Sequence, residues 1–288
     1  MIGFVNAKIN IGLNIVGRRP DGYHNLNTLF YPIGKRAGLP DSPSPFGDIL
    51  EIIPGEERFT FYGREIDIPQ EKNLVVKAYR LFSEEMRRKG LGDISFQVSL
   101  DKHLPDGAGI GGGSADASFV LTLLNGLCDN PFSQSELLSM AVRLGADCPF
   151  FIINTPCYAE GIGEELTPVD IDLSSYHILL VKPNVYVSTA EAFAGVTPQP
   201  PTEPLKELIK LPVEEWQGRI VNDFEPAIIR NHPVVGEVKS MMLGCGAVYA
   251  SMTGSGSSVY GLFANQTDMT GCGEEVMKRM SDAIVRFV

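Results

Sequence analysis

The sequence predicts an α+β protein built in two layers, and three observations predict it. Segments of helical and strand period alternate along the 288 residues, with no long stretch of strands alone. A proline-rich break, GVTPQPPTEP at 195–204, interrupts the pattern. Beyond it lies a second region with its own helix, strand, Gly-Ser turn, strand and helix. The boundary is expected within 160–195, dividing the chain into domains of 1–160 and 161–288.

Each element has a local reason. Val5–Ile15 alternate loosely and read as a strand ending in the turn-rich Gly17–Gly22 stretch. Residues 34–48 concentrate Gly, Pro, Ser and Asp and predict a loop, followed by strands over Asp48–Ile53 and Arg58–Tyr62. In Asn73–Lys89, Leu74, Ala78, Leu81, Phe82 and Met86 share one face, so a helix is expected there, stopped by Gly90. Ile94–Leu100 alternates as a half-buried strand. A glycine-rich segment leads into a helix over 114–125, with Ala117, Val120, Leu121 and Leu124 on one stripe. Ser133-Gln-Ser-Glu136 is a capping box opening a helix that turns Leu137, Ala141 and Leu144 inward and closes at Gly145. Tyr176–Lys182 reads as a strand, and Ser188-Thr-Ala-Glu191 repeats the helix-start signal. Strands over Ala247–Ser251 and Ser258–Phe263 flank the late turn. A last helix is expected to carry Val276, Met280, Ala283, Ile284 and Phe287 on one face.

Composition excludes several classes of function. A net charge of −11 leaves no basic face for nucleic acid, so an anionic ligand must be held by backbone N–H groups, a lysine or a metal ion. The five cysteines include no C-x-x-C pair and read as reduced thiols of a cytoplasmic protein. The four histidines are scattered and give no zinc pattern. The N-terminus lacks the pattern of a signal peptide, and no run reaches the ~20 apolar residues of a membrane span.

The segment most charged with chemistry comprises Pro105, Asp106, Gly107, Ala108, Gly109, Ile110, Gly111, Gly112, Gly113, Ser114 and Ala115. Five glycines within seven residues stand directly before a helix. Glycine lets backbone approach a ligand, and the helix N-terminus offers N–H groups and a dipole to a phosphate. A flexible turn is the competing reading, but five glycines cost conformational entropy that a mere connection does not require. Ser114 is placed to cap the helix or to touch a phosphate or its Mg²⁺. No G-x-x-x-x-G-K-[ST] occurs, and the protein-kinase marks H-R-D and D-F-G are absent. Gly107, Gly109 and Gly112 satisfy G-x-G-x-x-G, yet a His-Leu-Pro-Asp stretch separates them from the preceding strand. The acidic residue of a dinucleotide site would fall near Asp129, between helices.

Three further segments accompany the loop. They are Ala7-Lys-Ile-Asn-Ile-Gly-Leu13 with Arg19-Pro-Asp-Gly-Tyr-His24; Leu144-Gly-Ala-Asp-Cys-Pro-Phe150 with Glu160-Gly-Ile-Gly-Glu164; and Thr253-Gly-Ser-Gly-Ser257. Together and in this order, over residues 5–265, the set resembles the GHMP kinase superfamily. The resemblance implies an N-terminal α/β ATP-binding domain and a C-terminal ferredoxin-like domain, with ATP and Mg²⁺ as the phosphoryl donor pair. Arg19–His24 is similar to the segment of members that phosphorylate a hydroxyl of a cytidine diphosphate-linked methylerythritol for non-mevalonate isoprenoid synthesis. By that resemblance Asp147 is the base and Lys8 the catalytic cation. Asn10 contacts substrate near the reacting hydroxyl, and Tyr23 and His24 hold the cytosine; Gly254, Ser255 and Gly256 either bring backbone N–H groups to the site or form a tight hairpin turn. No acidic pair marks metal ligands, and the chain is expected to act as a monomer or homodimer. After Phe151 the chain reads Asn154-Thr155-Pro156 where the family usually has a glycine pair, which alters the loop there. The competing functions are a kinase of homoserine, mevalonate or a sugar, a non-catalytic binder of the same fold, and a dinucleotide-binding oxidoreductase.

Overall fold

A computed structural model describes residues 1–34, 46–65 and 68–288. The loop expected over 34–48 therefore lies, for 35–45, outside the described residues. The chain forms two compact units that are not successive in sequence. One comprises Met1–Ala7, Pro32–Asp106 and Gly111–Thr155, the other Lys8–Tyr31, Gly107–Ile110 and Pro156–Val288. Among the described residues no helix is long and apolar enough to cross a membrane.

The first unit is a four-stranded sheet with helices on it. β1 (Ile2–Val5) pairs antiparallel with β4 (Asp48–Pro54), which pairs antiparallel with β6 (Phe96–Lys102); β5 (Arg58–Gly63) lies parallel on the far side of β6. Alternation on β4 and β6 turns Leu50, Ile52, Val98 and Leu100 into the core. Val76, Tyr79 and Phe82 of α1 (Leu74–Arg88) and Val120, Leu121 and Leu124 of α2 (Gly112–Leu127) are likewise buried. α1 packs on α2, and α2 on β1 and β4. Asn73 caps α1 by accepting the Val75 N–H at 2.8 Å. Gly90, at φ 73°, ends that helix as expected. α3 (Gln134–Leu144) and α4 (Cys148–Ile153) also pack on α2.

The second unit holds two four-stranded sheets. In one, the order is β2 (Ala7–Arg18), β3 (His24–Ile33), β7 (Cys157–Glu160), β8 (Glu165–Pro168). The strand of the first segment thus runs through Gly17 to Arg18, and the turn occupies only Pro20–Gly22. In the other sheet the order is β10 (Tyr249–Met252), β11 (Val259–Phe263), β9 (His177–Lys182), β12 (Ile284–Phe287), every pair antiparallel. Its strands follow a β-α-β-β-α-β path, the ferredoxin-like arrangement. α8 (Pro233–Gly244) and α9 (Gln266–Arg279) cover one face and bury Val238, Met242, Cys272 and Val276 against Leu179, Val181, Ala250 and Val259. The smaller helices are α5 (Thr189–Ala194), α6 (Leu205–Leu208) and α7 (Glu225–Asn231).

One expectation fails here. The last helix stops at Arg279, and Ile284–Phe287 becomes β12 beside β9. An apolar stripe at 276, 280, 283, 284 and 287 fits a helix, but the open edge of β9 offers backbone hydrogen bonds to an extended segment, and tertiary pairing wins over local period.

The capping box of α3 is formed in full. The Glu136 N–H donates to Ser133 Oγ, and the Ser133 N–H to Glu136 Oε2 at 2.8 Å. Lys89, 2.6 Å away, together with Ser133 holds the Glu136 carboxyl down to about 2, from 4.5. Replacing Ser133 with Ala is expected to cost about 1 kcal/mol and so lower Tm by roughly 2–4 °C, without loss of activity. Because the folded-state pKa of Glu136 is depressed, its contribution is complete above pH 4.5 and fades as pH falls toward about 2. The Tm deficit of E136Q, followed by thermal unfolding at stepped pH, should therefore be largest near neutrality and shrink below pH 4.5.

Candidate active site

β6 delivers the chain to the glycine-rich loop through a buried charge cluster. Lys102 Nζ lies 2.6 Å from both Asp48 Oδ2 and Asp116 Oδ2. Asp48 Oδ1 also accepts the N–H groups of His103 and Leu104, at 2.6 and 2.7 Å. Burial opposes the charge on Lys102, but the two carboxylates outweigh it and hold the ammonium above its ordinary value. Burial pushes Asp116 well up, and Asp48 adds to this, because two carboxylates share one cation. Gly112 leaves room for Lys102, whose Nζ would stand 3.2 Å from a Cβ there.

The helix behind the loop begins earlier than its sequence pattern indicated. Gly111 is the N-cap of α2 in the left-handed region, φ 73°, so Gly112 and Gly113 already belong to the helix. The first intrahelical bond runs from Ala115 N to Gly111 O at 2.8 Å, which leaves the N–H groups of Gly112, Gly113 and Ser114 at the open end. Ser114 is thus a first-turn residue rather than the cap. Pro105, Ala108, Ile110 and Ala115 are buried and anchor the segment, while Asp106 and Gly107 are exposed.

Asp147 stands beside this first turn. It is the half-buried residue preceding α4, and its side chain does not cap that helix. The Ser118 hydroxyl of α2 lies 2.8 Å from the Ser114 carbonyl and 2.8 Å from that of Cys148, tying the start of α4 to α2. Burial pushes the Cys148 thiol up to about 11, so it is no nucleophile at neutral pH.

In the second unit, β2 carries Lys8 and Asn10 on one face, two residues apart. Lys8 is buried, and its Nζ donates to Asn10 Oδ1 at 2.5 Å and to Gly109 O at 3.2 Å, over the ring of Phe30. Asn10 Nδ2 donates to Thr28 Oγ1 at 3.0 Å, which in turn donates to Gly12 O. Thr253 Oγ1 accepts the Asn10 N–H and lies 3.0 Å from Gly109 O, to which it donates. At Gly109, φ 72°, an added Cβ would overlap the Thr253 carbonyl oxygen; at Gly254, φ 57°, one would stand 2.9 Å from Gly109 O. Of the late-turn residues, Gly254 therefore meets the loop directly. Ser255 is half-buried, and Gly256 closes the turn by donating its N–H to Thr253 O at 3.0 Å.

Tyr23 and His24 sit apart from Lys8 in character. Tyr23 is 61% exposed, whereas His24 opens β3 and stacks on Phe193 of α5, ring centroids 4.8 Å apart and planes 19° from parallel. Phe193 rests edge-on against Phe224 at 4.9 Å. Among the described residues, no group of three or more His, Cys, Asp or Glu side chains is placed to hold a metal ion.

Comparison with known proteins bears on this arrangement. Residues 73–155 match the GHMP kinases N terminal domain and 205–280 the GHMP kinases C terminal domain. Two proteins named 4-diphosphocytidyl-2-C-methyl-D-erythritol kinase are similar almost end to end. That of Parabacteroides distasonis is 49% identical over 268 residues, 93% of this chain and 93% of its own. That of Bacteroides thetaiotaomicron is 49% identical over 265 residues, 91% of this chain and 92% of its own. The chain belongs to the 4-diphosphocytidyl-2-C-methyl-D-erythritol kinase family of GHMP kinases. A crystal structure of a family member superposes with a TM-score of 0.79 at 28% identity, covering 100% of this chain and 98% of that one. Homoserine kinase from Cytophaga hutchinsonii, at 18% identity and a TM-score of 0.66 over 100% and 93% of the two chains, shares the fold.

For this family member, several residues of the site escaped sequence reading. Lys102 alternates inward on a strand, and only the acidic Asp48 and Asp116 near other strand and helix starts hinted at a partner. Thr253 precedes the glycine turn that had been singled out, and its hydroxyl proves to be the link to Gly109. Phe193 follows a recognised helix start, but its stack on His24 joins residues 169 positions apart, which no local pattern encodes. Gly109→Ala is expected to lower ATP turnover about 10²-fold while far-UV circular dichroism stays as in the wild type, since a Cβ must force loop and turn apart. Steady-state ADP release checks this.

Proposed function

We propose that the chain phosphorylates the 2-hydroxyl of 4-diphosphocytidyl-2-C-methyl-D-erythritol with ATP, a step of non-mevalonate isoprenoid synthesis. The observation that carries a phosphoryl-transfer reading is the buried ammonium of Lys8 on the carbonyl of Gly109, within the glycine-rich loop. The names of relatives 49% identical over nearly the whole chain support the substrate.

Each residue's part follows from its surroundings. The open N–H groups of Gly112, Gly113 and Ser114, with the dipole of a 16-residue helix behind them, suit a phosphate. The chain of Asn10, Thr253 and Gly109 oxygens holds Lys8 in place, ready to stabilise charge on the transferring group without reorganising. Asp147 takes the proton as the substrate oxygen bonds to the γ-phosphorus and the bond from that phosphorus to the departing ADP oxygen breaks. His24, stacked on Phe193, offers a ring nitrogen to the polar edge of a cytosine, and exposed Tyr23 offers a face to pack on it. A Mg²⁺ ion carried on nucleotide phosphates needs only one or two protein oxygens, and Ser114 in the first turn of α2 would supply one of them. Bound there, the ion would neutralise phosphate charge.

ADP release from ATP–Mg²⁺ is to be measured with the cytidine substrate beside homoserine, mevalonate and galactose. Turnover with the cytidine substrate alone is the expected result; turnover with another alcohol alone would discard the substrate and the roles of Tyr23 and His24. Asp147→Asn should lower kcat by roughly 10²–10⁴-fold with the KM for ATP little changed. Near-wild-type turnover in that variant removes Asp147 from the role of base.

A further inference from the structure

We propose that Asn222 is a positioning residue for phosphoryl transfer, setting the place of Gly109 and Lys8 through Thr253. The inference rests on the reading of the chain as an ATP-dependent kinase, but its geometry stands independently of the alcohol used.

Asn222 is 1% exposed. Its Nδ2 donates to Met252 O and to Gly254 O, both at 2.9 Å, and its Oδ1 accepts the Phe224 N–H at 3.0 Å. One amide therefore grips the backbone on either side of Thr253. Thr253 in turn accepts the Asn10 N–H and donates to the same Gly109 carbonyl that receives Lys8 Nζ. The backbone of Asn222 is itself tied to the strand bearing Lys8 and Asn10. Leu13 N donates to Val221 O at 2.9 Å, and Asp223 N donates to Leu13 O at 2.8 Å. Asn222 thus fixes the turn relative to β2, and the turn fixes Gly109 relative to Lys8. A displacement of the turn moves Gly109 with it, because Gly254 already stands at contact distance from the Gly109 backbone.

A buried asparagine that satisfies loop carbonyls is also a common stability device, so the test must separate the two roles. Asn125 supplies the comparison. It is buried, its Nδ2 donates to Phe132 O at 3.0 Å, and its Oδ1 accepts the Phe132 N–H at 3.0 Å, near the far end of α2. The variants are Asn222→Asp, which keeps the size but turns an oxygen toward two carbonyls, Thr253→Val, which removes the hydroxyl link, and Asn125→Ala. The proposal expects Asn222→Asp and Thr253→Val each to lower kcat about tenfold or more, with the KM for the alcohol nearly unchanged and a double variant no worse than the poorer single one. Asn125→Ala should lose stability with kcat within about twofold of wild type. Equal kcat losses in Asn222→Asp and Asn125→Ala, or wild-type kcat in Thr253→Val, would overturn it, and the latter result decides even if Asn222→Asp does not fold. Amide hydrogen exchange supplies a readout that needs no substrate: Asn222→Asp should speed exchange at Gly107–Ile110 as well as at Met252–Gly256. Faster exchange confined to 252–256 sinks the inference. No turnover of any alcohol by the wild type counts against the kinase reading alone and leaves the exchange result to decide this one.

Discussion

The arrangement around Lys8 depends on two backbones in direct contact. Gly109 and the Thr253–Gly254 turn approach so closely that neither glycine has space for a Cβ, and both adopt positive φ. The approach satisfies polar groups that would otherwise be stranded. Gly109 O receives both the Lys8 ammonium and the Thr253 hydroxyl, and the Thr253 oxygen accepts the Asn10 N–H. In a dry interior an unmade bond at any of these atoms costs about 1–3 kcal/mol, so the set is held together or lost together. Rigidity of this kind suits phosphoryl transfer, where placing charge matters more than covalent chemistry by the protein.

β2 and β6 each carry a buried lysine. Lys102 is gripped by Asp48 and Asp116, and its charge serves to bind the start of β4, the end of β6 and the N-terminal half of α2 to one another. Replacing one partner would leave an uncompensated charge in the core, which is costly. Lys8 is oriented by an amide oxygen, a backbone carbonyl and an aromatic face. These contacts hold the ammonium in place at the glycine-rich loop.

Local signals read well wherever a few neighbouring residues decide the outcome. The capping box Ser133–Glu136 formed in full, Asn73 and Gly90 bracketed α1, and Ser188 opened α5. The glycine-rich loop was legible because few other roles require five glycines before a helix, although its helix began two residues earlier than the apolar stripe implied. Misreadings came where a distant partner mattered. Ile284–Phe287 is extended because β9, about a hundred residues earlier, presents an open edge.

What the sequence determined by itself was the α+β class, the helix boundaries set by caps, the glycine-rich loop leading into a helix and the kinase resemblance carried by its motifs. These rest on period, turn chemistry and residue spacing, which act over a few positions. Only the tertiary structure decided that residues 8–31 join the C-terminal segments in one compact unit, that His24 stacks on Phe193, and that Thr253 and Asn222 stand behind the position of Gly109. Those relations join residues more than a hundred positions apart or depend on which carbonyl a buried side chain reaches. Each is set by satisfying buried backbone groups once the chain is packed, a constraint that no short stretch of sequence contains.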